Sequence, residues 1–378
     1  MKPIFLYGSL LDRRLLEVVL GRVLGPRCLV AARVHDLAAL RHAHADYPIL
    51  RPVAGALTEG LLFHPASPED RARLEFYEFA EYELADIVAN TAAGAIDALF
   101  FDARPDVEAS PHAWDFDTWA AQHRSLAIEA ARALMELRGQ RSPEEMHRLW
   151  PAMLNRARAR LRAAESSTIA DPPLRTGFDA AADVAWIERH RAWTGYLEVE
   201  EHLLRHRRHD GGWTGPLART TVSWGDAVTI LAYDPRRDRV LLLEQFRPGP
   251  AARGDADPWC VEVIAGRIDA EGDAEGTARR EAREEAGIEI GRIIRLPDYY
   301  PTPGLASEHL SCFIGEADLA GDGGLHGIAS EGEDIRTVIL PLDEALDALE
   351  RGAINTGPAM IPLLWLARHR DRLRAEWL

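Results

Sequence analysis

Short alternating runs of apolar and polar residues fill the first hundred positions of the chain, a pattern typical of β-strands. The runs predict strands at residues 4–7, 28–34, 54–63, 82–89 and 95–101. Apolar residues then recur at helical spacing, which predicts helices at about 114–137 and 143–164. The first part of the chain is therefore expected to combine a sheet with helices that follow it.

A segment rich in serine and proline, residues 166–173, separates this part from the next and has the composition of a linker. Beyond it the pattern predicts helices at 274–286, 342–351 and 358–370, and strands at 195–209, 217–223, 227–233, 240–246, 259–264, 293–300, 310–316 and 335–340. A chain of 378 residues is too long for one core. We predict an α+β protein with a domain over 1–165, a linker over 166–180, and an α/β/α sandwich over 181–378.

Composition narrows the possible functions. Hydrophobic residues make up 47% and charged residues 28% of the chain, as in ordinary globular proteins. The formal charge of −16 argues against a nucleic-acid-binding surface. Three separated cysteines indicate free thiols in a reducing compartment, and neither a signal segment nor a long apolar run is present. We therefore expect a cytoplasmic protein with no nucleic-acid or membrane partner.

The segment from Gly266 to Ile288 carries the strongest chemical signal. It reads G-R-I-D-A-E-G-D-A-E-G-T-A-R-R-E-A-R-E-E-A-G-I, with Asp273 as a plausible helix N-cap and Gly287 as a stop. Its carboxylates Glu281, Glu284 and Glu285 fall at i, i+3 and i+4 and so share one helix face, where like charges repel. A divalent cation such as Mg²⁺ removes that conflict. The alternative is a solvated acidic face balanced by neighbouring arginines.

This segment resembles the Nudix box, G-x5-E-x7-R-E-U-x-E-E-x-G-U, where U is a bulky aliphatic residue. Two positions depart from the pattern: Ala282 is small, and Gly272 replaces the first glutamate, with Glu271 one place early. The resemblance implies Mg²⁺ as cofactor, with Mn²⁺ as the alternative ion. It also implies metal ligands at the carbonyl of Ala265 and at the carboxylates Glu281, Glu285 and Glu333, and a general base at Glu331.

The resemblance extends to bacterial ADP-ribose pyrophosphatases through residues 244–247, 326–336 and 340–378. It implies hydrolysis of ADP-ribose to AMP and ribose 5-phosphate, with Arg247 at a phosphate and Arg219 against adenine. It also implies a homodimer in which the strands of residues 195–223 are exchanged. Alternatives are another nucleoside diphosphate substrate, such as NADH or a nucleotide sugar, and a non-catalytic ADP-ribose sensor, against which the retained glutamates argue. Fusions of this kind also resemble proteins associated with tellurite resistance.

The N-terminal Phe-Leu-Tyr-Gly-Ser-Leu, residues 5–10, resembles the Y-G-[ST]-L signature of the γ-glutamylcyclotransferase-like (AIG2-like) fold, a mixed β-barrel with helices. The resemblance implies a carboxylate-binding loop formed by Tyr7, Gly8, Ser9 and Leu10, and an acid/base role for Glu78. A plain charge at a helix end is the alternative reading of Glu78. Phe79 and Leu84 stand where the family has glycine and arginine. The domain is therefore expected either to bind or to cyclise γ-glutamyl-type substrates.

Overall fold

The computed structural model describes residues 1–166, 174–328 and 332–378. It divides into two compact units, Met1–Glu165 and Ser166–Leu378. Most of the predicted linker segment, residues 167–173, lies outside the described residues, as does the predicted base Glu331. The linker over 166–180 stays a prediction.

The first unit is built on a closed barrel. Its strands are β1 (Ile4–Leu6), β2 (Leu29–His42), β3 (Pro48–Phe63), β4 (Tyr82–Thr91), β5 (Gly94–Ala103) and β6 (Ala109–Ala113). They are ordered β3-β1-β5-β4-β2-β6, and an additional β2–β3 pairing closes the sheet. Since β1 runs parallel to β5 and antiparallel to β3, the barrel is mixed, as expected from the sequence.

Helices cover this barrel. They are α1 (Arg13–Leu20), α2 (Pro68–Tyr77), α3 (Phe116–Gln122), α4 (Arg124–Glu136) and α5 (Pro143–Glu165). The helix predicted over 114–137 is wrong as one element, because the chain leaves helical geometry at His123, where φ is −120°. One apolar cluster fills the barrel around Phe5, Leu50 and Leu62. Another lies between barrel and helices around Leu15 and Leu134, so the loop after β1 lies next to both cores.

The second unit begins with the short helix α6 (Ala180–Asp183) and a small antiparallel sheet, β7 (Val184–Thr194), β8 (Glu198–His206) and β9 (Leu217–Ser223). Strand β7 is absent from the sequence-based prediction. Trp186, Trp193 and Tyr196 are exposed on or beside this sheet. His202 of β8 is buried, and its Nε2 is hydrogen-bonded to the Thr221 hydroxyl at 2.8 Å.

A larger mixed sheet follows, with its helices α7 (Pro248–Arg253), α8 (Ala274–Ala286), α9 (Leu342–Glu350) and α10 (Gly357–Trp377). Its main strands run in the order β14-β15-β10-β11-β17-β16. Their ranges are β10 Ala227–Asp234, β11 Arg239–Phe246, β12 Trp259–Glu262, β13 Ile264–Arg267, β14 Ile293–Arg295, β15 Leu310–Glu316, β16 Gly323–His326 and β17 Ile335–Pro341. The strand predicted over 259–264 breaks at Val263, because β12 pairs with β11 whereas β13 pairs with β10.

Apolar clusters on the two faces of this sheet confirm the predicted sandwich. One cluster packs Ala278 and Ala282 of α8 against Val228 and Ile230. The other packs α9 and α10 against the opposite face, around Leu231 and Leu242. Ala282 is completely buried, so the small side chain at this motif position lets α8 approach the sheet closely. Among the described residues, no helix is both long enough and apolar enough to span a bilayer.

Candidate active site

Helix α8 delivers two carboxylates to the end of β13. It begins where predicted, since Asp273 Oδ1 accepts from the Gly276 N–H at 2.8 Å, and it ends at Gly287 with a φ of 63°. Glu285 is only 3% exposed. Its Oε2 accepts from the backbone N–H of Ala265 at 3.0 Å. Helix and strand are therefore joined directly at the site, with Ala265 and Glu285 in contact.

Gly266 explains why the motif needs a glycine at its start. A Cβ at this position would lie 1.9 Å from Oε1 of Glu281. The backbone of Gly266 is not in the left-handed region, so the requirement comes from space and not from conformation. The missing side chain lets the Glu281 carboxylate pack against β13.

Carboxyl groups are concentrated here. Burial raises the pKa of Glu285 to about 8, and the charges of Glu281 and Glu333 add to the shift. Burial likewise raises the pKa of Glu281 to about 7, with Glu284 and Glu333 contributing. Glu333 is oriented by the N–H of Ile328, which donates to its Oε2 at 3.0 Å. The three predicted acidic ligands are thus brought together in one group.

These residues fit a divalent cation. Within the described part of the chain, no basic side chain lies within the 4.0 Å ion-pair distance of Glu285. Clustered carboxylates that are costly to ionise are stabilised when a cation binds them. Hard divalent ions prefer carboxylate and carbonyl oxygens, which Glu281, Glu285, Glu333 and the Ala265 carbonyl offer.

Glu284 is already neutralised. Arg280 pairs with Glu284 at 2.5 Å and with Glu281 at 2.8 Å. Gly272, which replaces the first glutamate of the Nudix pattern, and its neighbour Glu271 are both exposed. The buried Thr277 hydroxyl donates to the Asp273 carbonyl at 2.8 Å. This bond lies within the first turn of α8, whose N-cap is Asp273.

The two predicted substrate arginines are placed differently. Arg247 follows β11, and its guanidinium pairs with Glu262 at 2.7 Å. Burial lowers the pKa of Arg247, but the hydrogen bond and charge of Glu262 raise it overall, and the charge of Glu285 adds to the rise. Arg247 therefore lies near the carboxylate group. Arg219 is exposed on β9 and donates to the carbonyl of Ala218 at 2.8 Å. Among the described residues, no contact joins Arg219 to the carboxylates. Glu262, which holds Arg247, was not singled out from the sequence.

In the first unit, residues Tyr7, Gly8, Ser9, Leu10 and Glu78 line one small cavity of about 30 Å³. Glu78 is the C-cap of α2, so it does lie at a helix end. Its side chain nevertheless lines the cavity and is not a plain surface charge. Burial raises its pKa to about 8, and the nearby charge of Glu81 adds to the shift. This geometry places the predicted loop and the predicted acid together.

Phe79 and Leu84 depart from the pattern of the γ-glutamylcyclotransferase-like fold, and both side chains pack against apolar neighbours. Phe79 adopts a φ of 54°, a left-handed conformation that glycine takes without strain. Its ring packs edge-on against Trp150 at 5.4 Å. Leu84 packs against the apolar cluster under the helices. Among the described residues lining the cavity there is no lysine or arginine. Two tyrosines that sequence reasoning did not assign to the site, Tyr47 and Tyr82, line it instead.

Two family models match this chain. The NUDIX domain matches residues 223–360, and "Gamma-glutamyl cyclotransferase, AIG2-like" matches residues 4–120. The chain therefore belongs to the Nudix family and carries an N-terminal AIG2-like domain. This confirms the predicted family and fold of both parts.

Curated relatives align with the second half. The ADP-ribose pyrophosphatase of Escherichia coli K12 is 35% identical over 195 residues, which is 52% of this chain and 93% of that protein. The Haemophilus influenzae ADP-ribose pyrophosphatase is 32% identical over 197 residues, 52% of this chain and 91% of that protein. A GDP-mannose pyrophosphatase of Enterobacter sp. (strain 638) is 35% identical over 145 residues, 38% of this chain and 73% of that protein.

Proposed function

We propose that the second unit hydrolyses ADP-ribose to AMP and ribose 5-phosphate in a reaction that depends on a divalent metal ion. The observation that carries the proposal is the group formed by Glu281, Glu285 and Glu333 beside Ala265. Glu281 packs against Gly266, and Glu285 is bonded to the Ala265 N–H. The aligned ADP-ribose pyrophosphatases, covered at 91–93% of their length, support the choice of substrate.

In this proposal the carbonyl of Ala265 and the carboxylates of Glu281, Glu285 and Glu333 hold the metal, Mg²⁺ first and Mn²⁺ as the alternative. A bound ion supplies charge neutralisation at the phosphates and lowers the pKa of a bound water. The protein supplies the arrangement: the helix and strand contacts fix Glu281 and Glu285 before substrate arrives, which limits the reorganisation needed for catalysis.

Two further side chains have roles in the same proposal. Arg247 donates to a phosphate oxygen of the substrate, and Glu262 holds its guanidinium in place at 2.7 Å. Glu331 removes the proton from the attacking water. Water adds across one phosphorus–oxygen bond of the diphosphate, so each product leaves with one phosphate group.

We also propose that the protein is a homodimer through the sheet of β7, β8 and β9. Trp186 and Trp193 are 47% and 48% exposed on this sheet. Exposed apolar patches of this kind mark interaction surfaces. Arg219 lies on β9 and contacts none of the site carboxylates of its own chain among the described residues. In a dimer it is free to contribute to the adenine site of the partner.

For the first unit we propose that it binds γ-glutamyl-type ligands or cyclises them. A Glu78 carboxyl with a pKa of about 8 holds a proton near neutral pH, which suits proton transfer. The cavity of about 30 Å³ has room for a water molecule but not for a glutamyl chain. Binding therefore requires the cavity to open.

A second candidate substrate class is a nucleotide sugar. The 35% identity to a GDP-mannose pyrophosphatase over 145 residues favours it. NADH is a third diphosphate of the same chemical class. The non-catalytic sensor is disfavoured because the acidic ligands Glu281, Glu285 and Glu333 are all retained, with Glu285 buried and the other two partly buried. A cytoplasmic location is also part of the proposal.

The test is a substrate panel of ADP-ribose, GDP-mannose and NADH, each assayed with Mg²⁺ and again with Mn²⁺. We expect the highest kcat/KM for ADP-ribose. A higher value for GDP-mannose or NADH would keep the diphosphatase chemistry but replace the substrate. Binding of ADP-ribose without turnover under either metal would favour the sensor.

A further inference from the structure

Arg267 is a partly buried arginine whose guanidinium has no hydrogen-bond partner among the residues that the structure describes. It follows Gly266 at the end of β13. Over residues 1–166, 174–328 and 332–378, its guanidinium makes no hydrogen bond and no ion pair within 4.0 Å. A partly buried charge without a partner costs free energy unless a ligand pairs with it.

Other arginines around the site differ from Arg267 because each has a carboxylate partner. The pairs are Arg247–Glu262 at 2.7 Å, Arg279–Glu275 at 2.7 Å, Arg280–Glu284 at 2.5 Å and Arg283–Glu289 at 3.3 Å. Arg267 is therefore the exception among these arginines.

Tyr196 orients the guanidinium. The Cζ atom of Arg267 lies 4.1 Å from the ring centroid of Tyr196, which stands in the turn between β7 and β8. A cation–π contact of this kind covers one face of the guanidinium plane. The N–H donors of arginine point outward within that plane. The stacking therefore leaves these donors available to a ligand.

The two carboxyl groups whose charges act on Arg267, those of Asp269 and Glu308, have other partners. Glu308 accepts from the indole N–H of Trp224 at 2.8 Å, and Asp269 lies 3.6 Å from Arg280. Both carboxyls act on the charge of Arg267 from a distance, but neither pairs with it. An acceptor that fits this position must therefore come from outside the described protein groups.

We infer that Arg267 is a substrate-binding residue that donates to a phosphate group, in addition to the phosphate contact of Arg247. The inference rests on the proposed function, because the phosphate is one of the two in a nucleoside diphosphate substrate. Arg267 directly follows Gly266, against which the Glu281 carboxylate packs. The charge of Asp269 acts on Arg267, and Asp269 lies 3.6 Å from Arg280, which pairs with Glu281 at 2.8 Å. Arg267 is therefore near the carboxylate group, and a phosphate bound to it would lie near the proposed metal ligands. A planar guanidinium suits phosphate oxygens because two N–H groups can donate in parallel.

The first experiment compares Arg267→Met, which keeps most of the side-chain stem, with Arg283→Met as the matched control. Arg283 is an exposed arginine whose ion pair with Glu289 contributes little. A charged hydrogen bond lost from a partly buried site corresponds to about a 10- to 100-fold rise in KM for ADP-ribose. We expect kcat to change much less, and Arg267→Lys to recover part of the loss. Unchanged KM in Arg267→Met would overturn the inference.

The second experiment does not depend on turnover. Binding of AMP and of ribose 5-phosphate is measured by calorimetry, without added metal, on the wild type and on the Arg267→Met and Arg283→Met variants. Weakened binding of AMP alone places Arg267 at the nucleotide phosphate, and weakened binding of ribose 5-phosphate alone places it at the sugar phosphate. Equal binding by wild type and Arg267→Met, or no binding of either compound by the wild type, overturns the inference. A wild type that binds these phosphates through Arg267 but leaves ADP-ribose intact would instead contradict the proposed function.

Discussion

Replacing Gly266 by alanine adds one methyl group at the point where strand and helix meet. The new Cβ would lie 1.9 Å from Oε1, 2.0 Å from Cδ and 2.4 Å from Cγ of Glu281. Non-bonded carbon atoms approach to about 3.5 Å. The Glu281 carboxylate must therefore move by more than about 1 Å. The backbone at position 266 has no positive φ, so alanine itself introduces no conformational strain.

The expected result is a folded protein with a damaged metal site. Misplacing a catalytic group by about 1 Å costs about 100-fold in rate, equivalent to about 2.7 kcal/mol of transition-state stabilisation. We expect kcat/KM for ADP-ribose to fall by about that factor. We also expect half-maximal activity to require more Mg²⁺, because one ligand is displaced.

The assay is an Mg²⁺ titration of ADP-ribose hydrolysis, with thermal unfolding measured in parallel. Gly357→Ala is the matched control, because a Cβ at Gly357 meets nothing within 4 Å and its φ is not positive. Near-normal kcat/KM for Gly266→Ala at limiting Mg²⁺ would refute the role assigned to the contact with Glu281. A large fall in the melting temperature would show that the backbone moved in place of the side chain.

Three further predictions concern the remaining proposed residues. Glu331→Gln should lower kcat by about 10²–10⁴-fold with little change in KM, as for a general base; a change in KM alone would make Glu331 a binding residue and Glu333 the better candidate. Mixing Arg219→Ala with Glu285→Gln subunits should restore activity in heterodimers, where one site regains both groups; a monomer by light scattering, or no recovery despite subunit exchange, would count against the dimer. The pKa of Glu78 is raised from 4.5 to about 8 in the folded state. Between these two pH values, Glu78 is protonated in the folded protein and ionised in the unfolded chain. Its stabilising contribution is present below pH 4.5 and disappears as pH rises through 8, by about 3–5 kcal/mol in all. Calorimetry of the full chain from pH 5 to 9 should show Glu78→Gln removing this loss, and parallel curves for wild type and variant would contradict it.

Local signals made helix α8 predictable. Asp273 caps its start, Gly287 ends it, and the apolar positions Ala278 and Ala282 recur at helical spacing. The same kind of signal was present for α1, where Asp12 accepts from two backbone N–H groups and Gly21 has a φ of 67°, but that helix was not predicted. In such cases the information is local, and reading the caps would have found the element.

Other features depend on tertiary packing. Strand β7 reads Val-Ala-Trp-Ile-Glu-Arg-His-Arg-Ala-Trp-Thr, and most of its residues are exposed, so it lacks the one-sided apolar alternation that marks a strand. The stacking of Arg267 on Tyr196 joins residues that are distant in the chain. The pairing of Arg247 with Glu262 requires β11 and β12 to be neighbours. The motif identified the acidic ligands, but these supporting contacts depend on the assembled sheet.

The most direct measurement of the central claim is a ³¹P NMR spectrum of ADP-ribose incubated with the full-length protein and Mg²⁺. The account predicts that the two diphosphate resonances disappear together and that two phosphomonoester resonances, those of AMP and ribose 5-phosphate, replace them in equal amounts. Glu285→Gln, run alongside, should slow this conversion by at least about 100-fold, since it removes a charged, buried metal ligand. Persistence of the diphosphate resonances with the folded wild-type protein, or conversion at the wild-type rate by Glu285→Gln, would contradict the account.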